Sequence, residues 1–168
     1  MNLLIRNEQI KFSQTNMTRN LLILFLLTIS FYGGTQSTKD IDSLIDQWHL
    51  AAADADFTKY FSITGEKFVF LGTDPKERWE KKEFEAFCKP YFEKGKAWNF
   101  TASNRKWVFS NNQNIAWFDE DLATWMKGCR GSGVIEKINN EWKLVYYNLT
   151  VLIENDKIND FIELRNKH

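Results

Sequence analysis

Histidine, cysteine and proline are all scarce here, with two of each in 168 residues. Neither histidine stands at ligand spacing from a cysteine or from the other histidine, so nothing supports a metal centre. No strand-to-helix glycine loop is present. Gly131-Ser132-Gly133 falls in a strand pattern, so no phosphate cradle and no nucleotide cofactor is expected. Runs of five like charges are missing, as are proline-rich and glycine/serine-rich tracts, so disorder is expected only at the termini. Charge of one sign is not in excess either, with 22 basic and 22 acidic residues and no basic stripe. That excludes nucleic acid as a partner. An apolar run of the roughly 20 residues needed to span a bilayer is also absent.

The longest apolar run is Leu21 to Tyr32, preceded by Arg19 and followed by small and polar residues from Gly33 to Ser37. A positive flank, a short apolar run and a small-residue exit make the pattern of a secretory signal. Residues 1–37 are therefore read as a leader, with Met17 a more compact start than Met1, and residues 38–168 as one exported domain, periplasmic or secreted. The alternative is a membrane anchor formed by uncleaved Leu21 to Tyr32. Cys88 and Cys129 remain in the domain, either as a disulfide in an oxidising compartment or as two buried small hydrophobes.

What the chain has in quantity is rings. Aromatics make up 15% of it, including seven Trp and fourteen Phe, more than a small core needs, and the surplus points to a lined pocket or an interface. Helical periodicity runs from Asp40 to Ala55 through Ile41, Leu44, Ile45, Trp48, His49 and Ala52. A short helix follows over Asp56 to Phe61, ended by Gly65, and a strand over Lys67 to Leu71. After a turn at Gly72-Thr-Asp-Pro-Lys comes a helix from Trp79 to Lys94, expected to kink or break near Cys88 because Pro90 lies inside it. From Trp98 the period becomes two. Strands are predicted over Phe100–Phe109, Ile115–Met126, Cys129–Ile138 and Trp142–Val151, and a partial helix in the tail after Asn155. Lys127-Gly128 and Asn139-Asn140 are read as tight turns. Helices followed by an antiparallel meander give an α+β class, a curved antiparallel sheet packed against about three N-terminal helices.

With Lys127-Gly128 as a two-residue loop, Trp117, Asp119, Asp121, Ala123 and Trp125 share a face with Arg130, Ser132 and Val134, and the Asn139-Asn140 turn extends it to Val145, Tyr147 and Leu149. The opposite face carries Phe118, Leu122, Ile135, Trp142, Leu144 and Tyr146. The first face mixes rings with two carboxylates and a guanidinium, and is favoured as the pocket. Arg130 there would take an anionic end of a ligand, and Asp119, desolvated among rings, would act as an acid or base. An ion pair between Arg130 and Asp119 or Asp121 is the structural alternative, as is an outward-facing sheet in a dimer. A one-residue bulge would exchange the faces. His49 is the second acid/base candidate, and its neighbour Trp48 is a ligand-lining ring together with Tyr60 and Tyr91. A Ser132–His49–Asp119 triad can be drawn, but no nucleophile elbow surrounds Ser132.

Six segments in order carry a resemblance: Ile41–Ala55, Phe70-Leu-Gly-Thr-Asp, Lys89-Pro-Tyr-Phe, Ala116-Trp-Phe-Asp-Glu, Cys129-Arg-Gly-Ser-Gly-Val and Trp142-Lys-Leu before Asn148-Leu-Thr. Together they resemble the SnoaL-like proteins of the nuclear transport factor 2 superfamily over about residues 40–155. The resemblance implies a cone-shaped cystatin-like fold, commonly dimeric, with a pocket between curved sheet and helices. Its members include cyclases and isomerases that use a pocket Asp or His without a cofactor, and Asp119 is similar in placement to a pocket-lining position. Three functions follow as expectations. The first is binding of a small, partly apolar, anionic molecule. The second is a cofactor-independent lyase, isomerase or cyclase using Asp119 or His49. The third is a dimeric accessory protein.

Overall fold

In the computed structural model, residues 38–167 are described; the predicted leader or anchor, 1–37, lies outside them. Helix α1, Thr38–Ala53, buries Ile41, Ile45, Trp48, His49 and Ala52 along one face, the periodicity read from the sequence. Ala55, at φ 55°, reverses the chain, and the Asp56 carboxylate accepts the Lys59 amide to cap α2, Phe57–Ser62. Strand β1, Thr64–Leu71, starts earlier than predicted and takes in Gly65. A three-residue strand β2, Arg78–Glu80, then precedes α3, Lys81–Glu93. Trp79 therefore belongs to a strand rather than to the helix. A reciprocal capping box between Glu80 and Glu83 fixes the start of α3. Helix α3 runs through Pro90 without the expected break near Cys88. Pro90 and Ala86, whose carbonyl loses its amide partner, are both exposed, so water can take the freed acceptor.

The remaining strands are β3, Thr101–Phe109; β4, Ile115–Thr124; β5, Lys127–Ile138; and β6, Glu141–Val151. A 3-10 turn, Asn155–Lys157, and α4, Ile158–Arg165, close the chain. One curved, unclosed sheet holds all six strands in the order β2-β1-β6-β5-β4-β3. It is mixed rather than wholly antiparallel, because β1 lies parallel to β6. Asn139 and Asn140, both at positive φ, make the predicted β5–β6 turn. The β4–β5 turn is Trp125-Met126, not Lys127-Gly128, and Thr124 pairs with Lys127. That displacement is an even number of positions. Asp119, Asp121, Arg130 and Ser132 consequently still share a face.

The helices cover the opposite face, where Ala116, Phe118, Leu122, Cys129, Ile135, Leu144, Tyr147 and Leu149 are buried. The favoured pocket face is thus the outer one, and that expectation is corrected. Tyr147 and Leu149 turn inward because β6 carries one extra residue, Val145, between the pairs Ile135–Leu144 and Val134–Tyr146. Both cysteines are buried and free. Among the described residues no helix is long and apolar enough to cross a membrane.

Candidate functional site

The inner face holds two chemically different regions, separated by a wall of rings. Trp48 stacks on Tyr60 at 4.8 Å between centroids and tilts against Tyr147 at 4.7 Å. Phe70 stacks on Phe84 at 4.2 Å. Trp48, Tyr60 and Tyr147, expected to line a ligand, instead pack against one another and fill the middle of the cone.

On one side of this wall lies a charged network around Glu120, whose side chain is fully buried. Oε1 of Glu120 accepts from the Tyr147 hydroxyl at 2.8 Å and from Nε2 of His49 at 2.7 Å. Oε2 accepts from Nε of Arg105 at 2.8 Å. Arg105 also donates to Asp46 at 2.8 Å and to Asp42 at 3.2 Å, and Asp42 accepts the Trp107 indole N–H at 2.7 Å. A bulge in β3 aims Arg105 inward: Asn104 and Arg105 together face Glu120, between the pairs Ser103–Asp121 and Lys106–Asp119, with Asn104 at φ 53°. Burial alone would push the Glu120 carboxyl up. The His49 hydrogen bond and charge, the Arg105 charge and the Tyr147 hydroxyl outweigh it and hold the carboxyl below its usual range. Burial, then the Glu120 charge, pushes the Tyr147 phenol up. An ionised Glu120 only accepts, so Nε2 of His49 carries the proton in that bond. His49 borders a cleft of about 290 Å³ with Asp46, Asn99 and Thr101.

Two glycines of β5 make room for this arrangement. A Cβ on Gly131 would lie 2.1 Å from the Tyr147 hydroxyl oxygen and 3.0 Å from Oε1 of Glu120. One on Gly133 would lie 2.4 Å from the Phe118 ring. These are the close ring-on-backbone contacts that glycine permits in a strand.

On the other side of the wall a cavity of about 180 Å³ opens at the mouth of the cone. Phe70, Trp79, Phe84, Phe87, Trp98, Phe100 and Trp125 line it, with Met126, Leu149 and the Gly72–Glu77 loop at its edge. Five parts of the chain meet there: β1 and β2 with their loop, α3, the segment entering β3, the β4–β5 turn and, through Leu149, β6. Glu77 is the one charged residue in the lining.

Of the predicted site residues, Trp125 alone lines this cavity. Trp117, Asp119 and Arg130 are exposed on the outer sheet face, where Ser132 and Asp121 are half-buried. Arg130 reaches Asp121 at 3.4 Å, the structural ion pair kept as an alternative. The Asn104 amide, at 3.0 Å, and secondarily Arg130 hold the Asp121 carboxyl below its usual range. Tyr91 sits on the exposed side of α3 against Phe87. The Ser132–His49–Asp119 triad does not form, since the sheet stands between Ser132 and Asp119 on one face and His49 on the other. Glu120 and Arg105 were missed, although Glu120 shares strand parity with Ala116, Phe118 and Leu122, which is the signal of the covered face. Among the described residues no cluster of three His, Cys, Asp or Glu side chains could hold a metal.

The sequence profile of the SnoaL-like domain family matches residues 41–154. The chain belongs to that family. Solved structures agree at the level of fold. An NTF2-like protein from Cytophaga hutchinsonii superposes with a TM-score of 0.58 at 12% identity, over 70% of this chain and 100% of that one. An NTF2-like protein of unknown function from Pseudomonas putida KT2440 gives 0.57 at 10% identity, over 71% and 89%. The association domain of C. elegans CaMKII gives 0.55 at 17% identity, over 68% and 95%. No curated protein sequence matches this SnoaL-like chain.

Proposed function

We propose that this SnoaL-like domain binds a small, predominantly apolar molecule in the ring-lined cavity at the mouth of its cone, without chemistry on it. The observation that carries this reading is a hollow walled by seven aromatic rings and continuous with the buried aromatic core. A cavity of about 150 Å³ suffices for benzene, so 180 Å³ suits one ring or a branched alkyl group. The anionic ligand expected from Arg130 is not part of the proposal, because Arg130 is on the far face of the sheet and no basic residue lines the cavity. An isomerase or cyclase would need its acid or base against the ligand. Asp119 lies on the outer face, and His49 borders a separate cleft with Nε2 committed to Glu120.

Six of the seven tryptophans supply the test. Titration with benzyl alcohol is expected to move the indole N–H signals of Trp79, Trp98 and Trp125 in NMR spectra and to leave those of Trp107, Trp117 and Trp142 in place. Signals that all stay fixed, or all drift together, overturn the reading.

Export belongs to the same proposal and is supported by the short apolar run Leu21 to Tyr32 with its Arg19 flank. So does a homodimer through the outer sheet face. Val108, Trp117, Val134 and Tyr146 form a cross-strand row over four strands, with Val108 and Trp117 each nearly half exposed. Lys106, Asp119, Asp121 and Arg130 flank the row with both charge signs, which a twofold axis can match. Sedimentation as a dimer that Trp117→Glu converts to monomer is expected; a parent chain that sediments as a monomer removes this part.

A further inference from the structure

We propose that the molecule held at the mouth of the cone is a small organic ammonium ion; this rests on the cavity reading above. Three observations point the same way. The charged group in the lining is a carboxylate, Glu77, and no lysine or arginine shares the lining with it. The Glu77 side chain is folded back over Gly72, where a Cβ would lie 2.2 Å from Oε2, and Oε2 accepts the Asp74 amide at 3.1 Å. Among the described residues Oε1 has no hydrogen-bond partner and Glu77 no ion-pair partner. The loop thus places a carboxylate, partly open to solvent, in the lining of an apolar hollow.

The second observation is the character of the walls. Tryptophan presents the most negative ring face of the side chains, and Trp79, Trp98 and Trp125 all border the cavity. A quaternary or primary ammonium gains from such faces and from a nearby carboxylate at once. A carboxylate or phosphate ligand loses on both counts.

The third is Trp125. It stands at the tip of the β4–β5 turn with 82% of its surface exposed, and it has no ring contact with another described residue. So large an exposed ring contributes nothing to the core, and its place is the rim of the cavity. Hydrophobic burial explains the other rings of the lining but not this one.

Choline and 3,3-dimethylbutan-1-ol have the same shape and differ in charge. Choline is expected to move the indole signals of Trp79, Trp98 and Trp125 and to bind about tenfold more tightly than the neutral alcohol. Glu77→Gln keeps an oxygen for the Asp74 amide. It is expected to weaken choline about tenfold while leaving the alcohol unchanged. Trp125→Ala is expected to weaken choline with no change in Tm, and Arg130→Ala, on the outer face, to change neither ligand. Equal affinities for the two ligands, or a Glu77→Gln variant that binds choline as the parent does, overturn the ammonium assignment while the cavity reading stands. If benzyl alcohol, choline and the neutral alcohol all leave the three indoles unmoved, the cavity reading itself has failed.

Discussion

Glu120→Gln is expected to lower the stability of the domain by about 3–5 kcal/mol, the usual cost of removing one member of a buried charge pair. The amide has nearly the size of the carboxylate, so cavity formation is not the cause. Every group that meets Glu120 is a donor: the Tyr147 hydroxyl, Nε2 of His49 and Nε of Arg105. A glutamine turns its own N–H₂ toward one of them and leaves the Arg105 guanidinium short of a counter-charge. Asp42 and Asp46 still hold Arg105 from the solvent side, which sets the lower end of the range. In a thermal melt this corresponds to a Tm lower by roughly 10–20 °C. The pH dependence has a definite sign. Because the folded carboxyl sits below its unfolded value, its stabilisation is complete above the unfolded pKa of about 4.3. It is lost as the pH falls through the folded pKa. Denaturant melts between pH 7 and pH 3 are therefore expected to show a steeper acid loss in the parent than in Glu120→Gln. Parallel curves would mean that folding does not shift the Glu120 carboxyl. Replacing the pair together, as Glu120→Leu with Arg105→Met, is expected to recover part of the loss, since the cost lies in the stranded charge.

Gly131→Ala has the second-largest expected effect, a loss of about 1–3 kcal/mol from overpacking. The added methyl would meet the Tyr147 hydroxyl at 2.1 Å and its ring carbon at 2.8 Å. Tyr147 is packed by Trp48, Phe70 and Phe118, so the ring has nowhere to retreat and its hydroxyl is driven off Glu120. Gly131→Ala combined with Tyr147→Phe removes the worst contact and is expected to be more stable than Gly131→Ala alone. A glycine needed only for backbone freedom would show no such rescue. Urea melts of the two variants decide between these outcomes, and an unperturbed Gly131→Ala would show that β5 shifts to admit the methyl.

The element order apart from the short β2, the β5–β6 turn at Asn139-Asn140 and the helical face of α1 are legible in the chain because each rests on local chemistry: period, caps and Asn at positive φ. The faces of the sheet are not legible in the same way. Trp117 and Trp125 drew attention to the odd-numbered face of β4, whereas the quieter set Ala116, Phe118, Leu122 marks the covered one. Two one-residue irregularities decide the rest. The extra Val145 turns Tyr147 inward, and the β3 bulge at Asn104 brings Arg105 to Glu120. Neither has a strong sequence signature, since a bulge is chosen by the register of its neighbour. A carboxylate between Asp119 and Asp121 reads as surface until its partners, Arg105 fifteen residues away and His49 seventy-one away, are placed beside it. The cavity was hidden for a similar reason, because its rings come from four separate parts of the chain.

The parallel contact between β1 and β6 has a consequence for the order in which the molecule assembles. Strand β1 finds hydrogen-bonding neighbours only in the three residues of β2 and in β6, about eighty positions later. Helix α1, which comes first in the sequence, rests on β3 and β4 through Arg105, Trp107 and Glu120, so its floor too is supplied by later chain. The four-strand hairpin series from β3 to β6, tied by near-neighbour turns, can form on its own schedule. Strand β1 accordingly joins the main sheet only through a segment that ends at Val151, so the two ends of the domain are closed against each other.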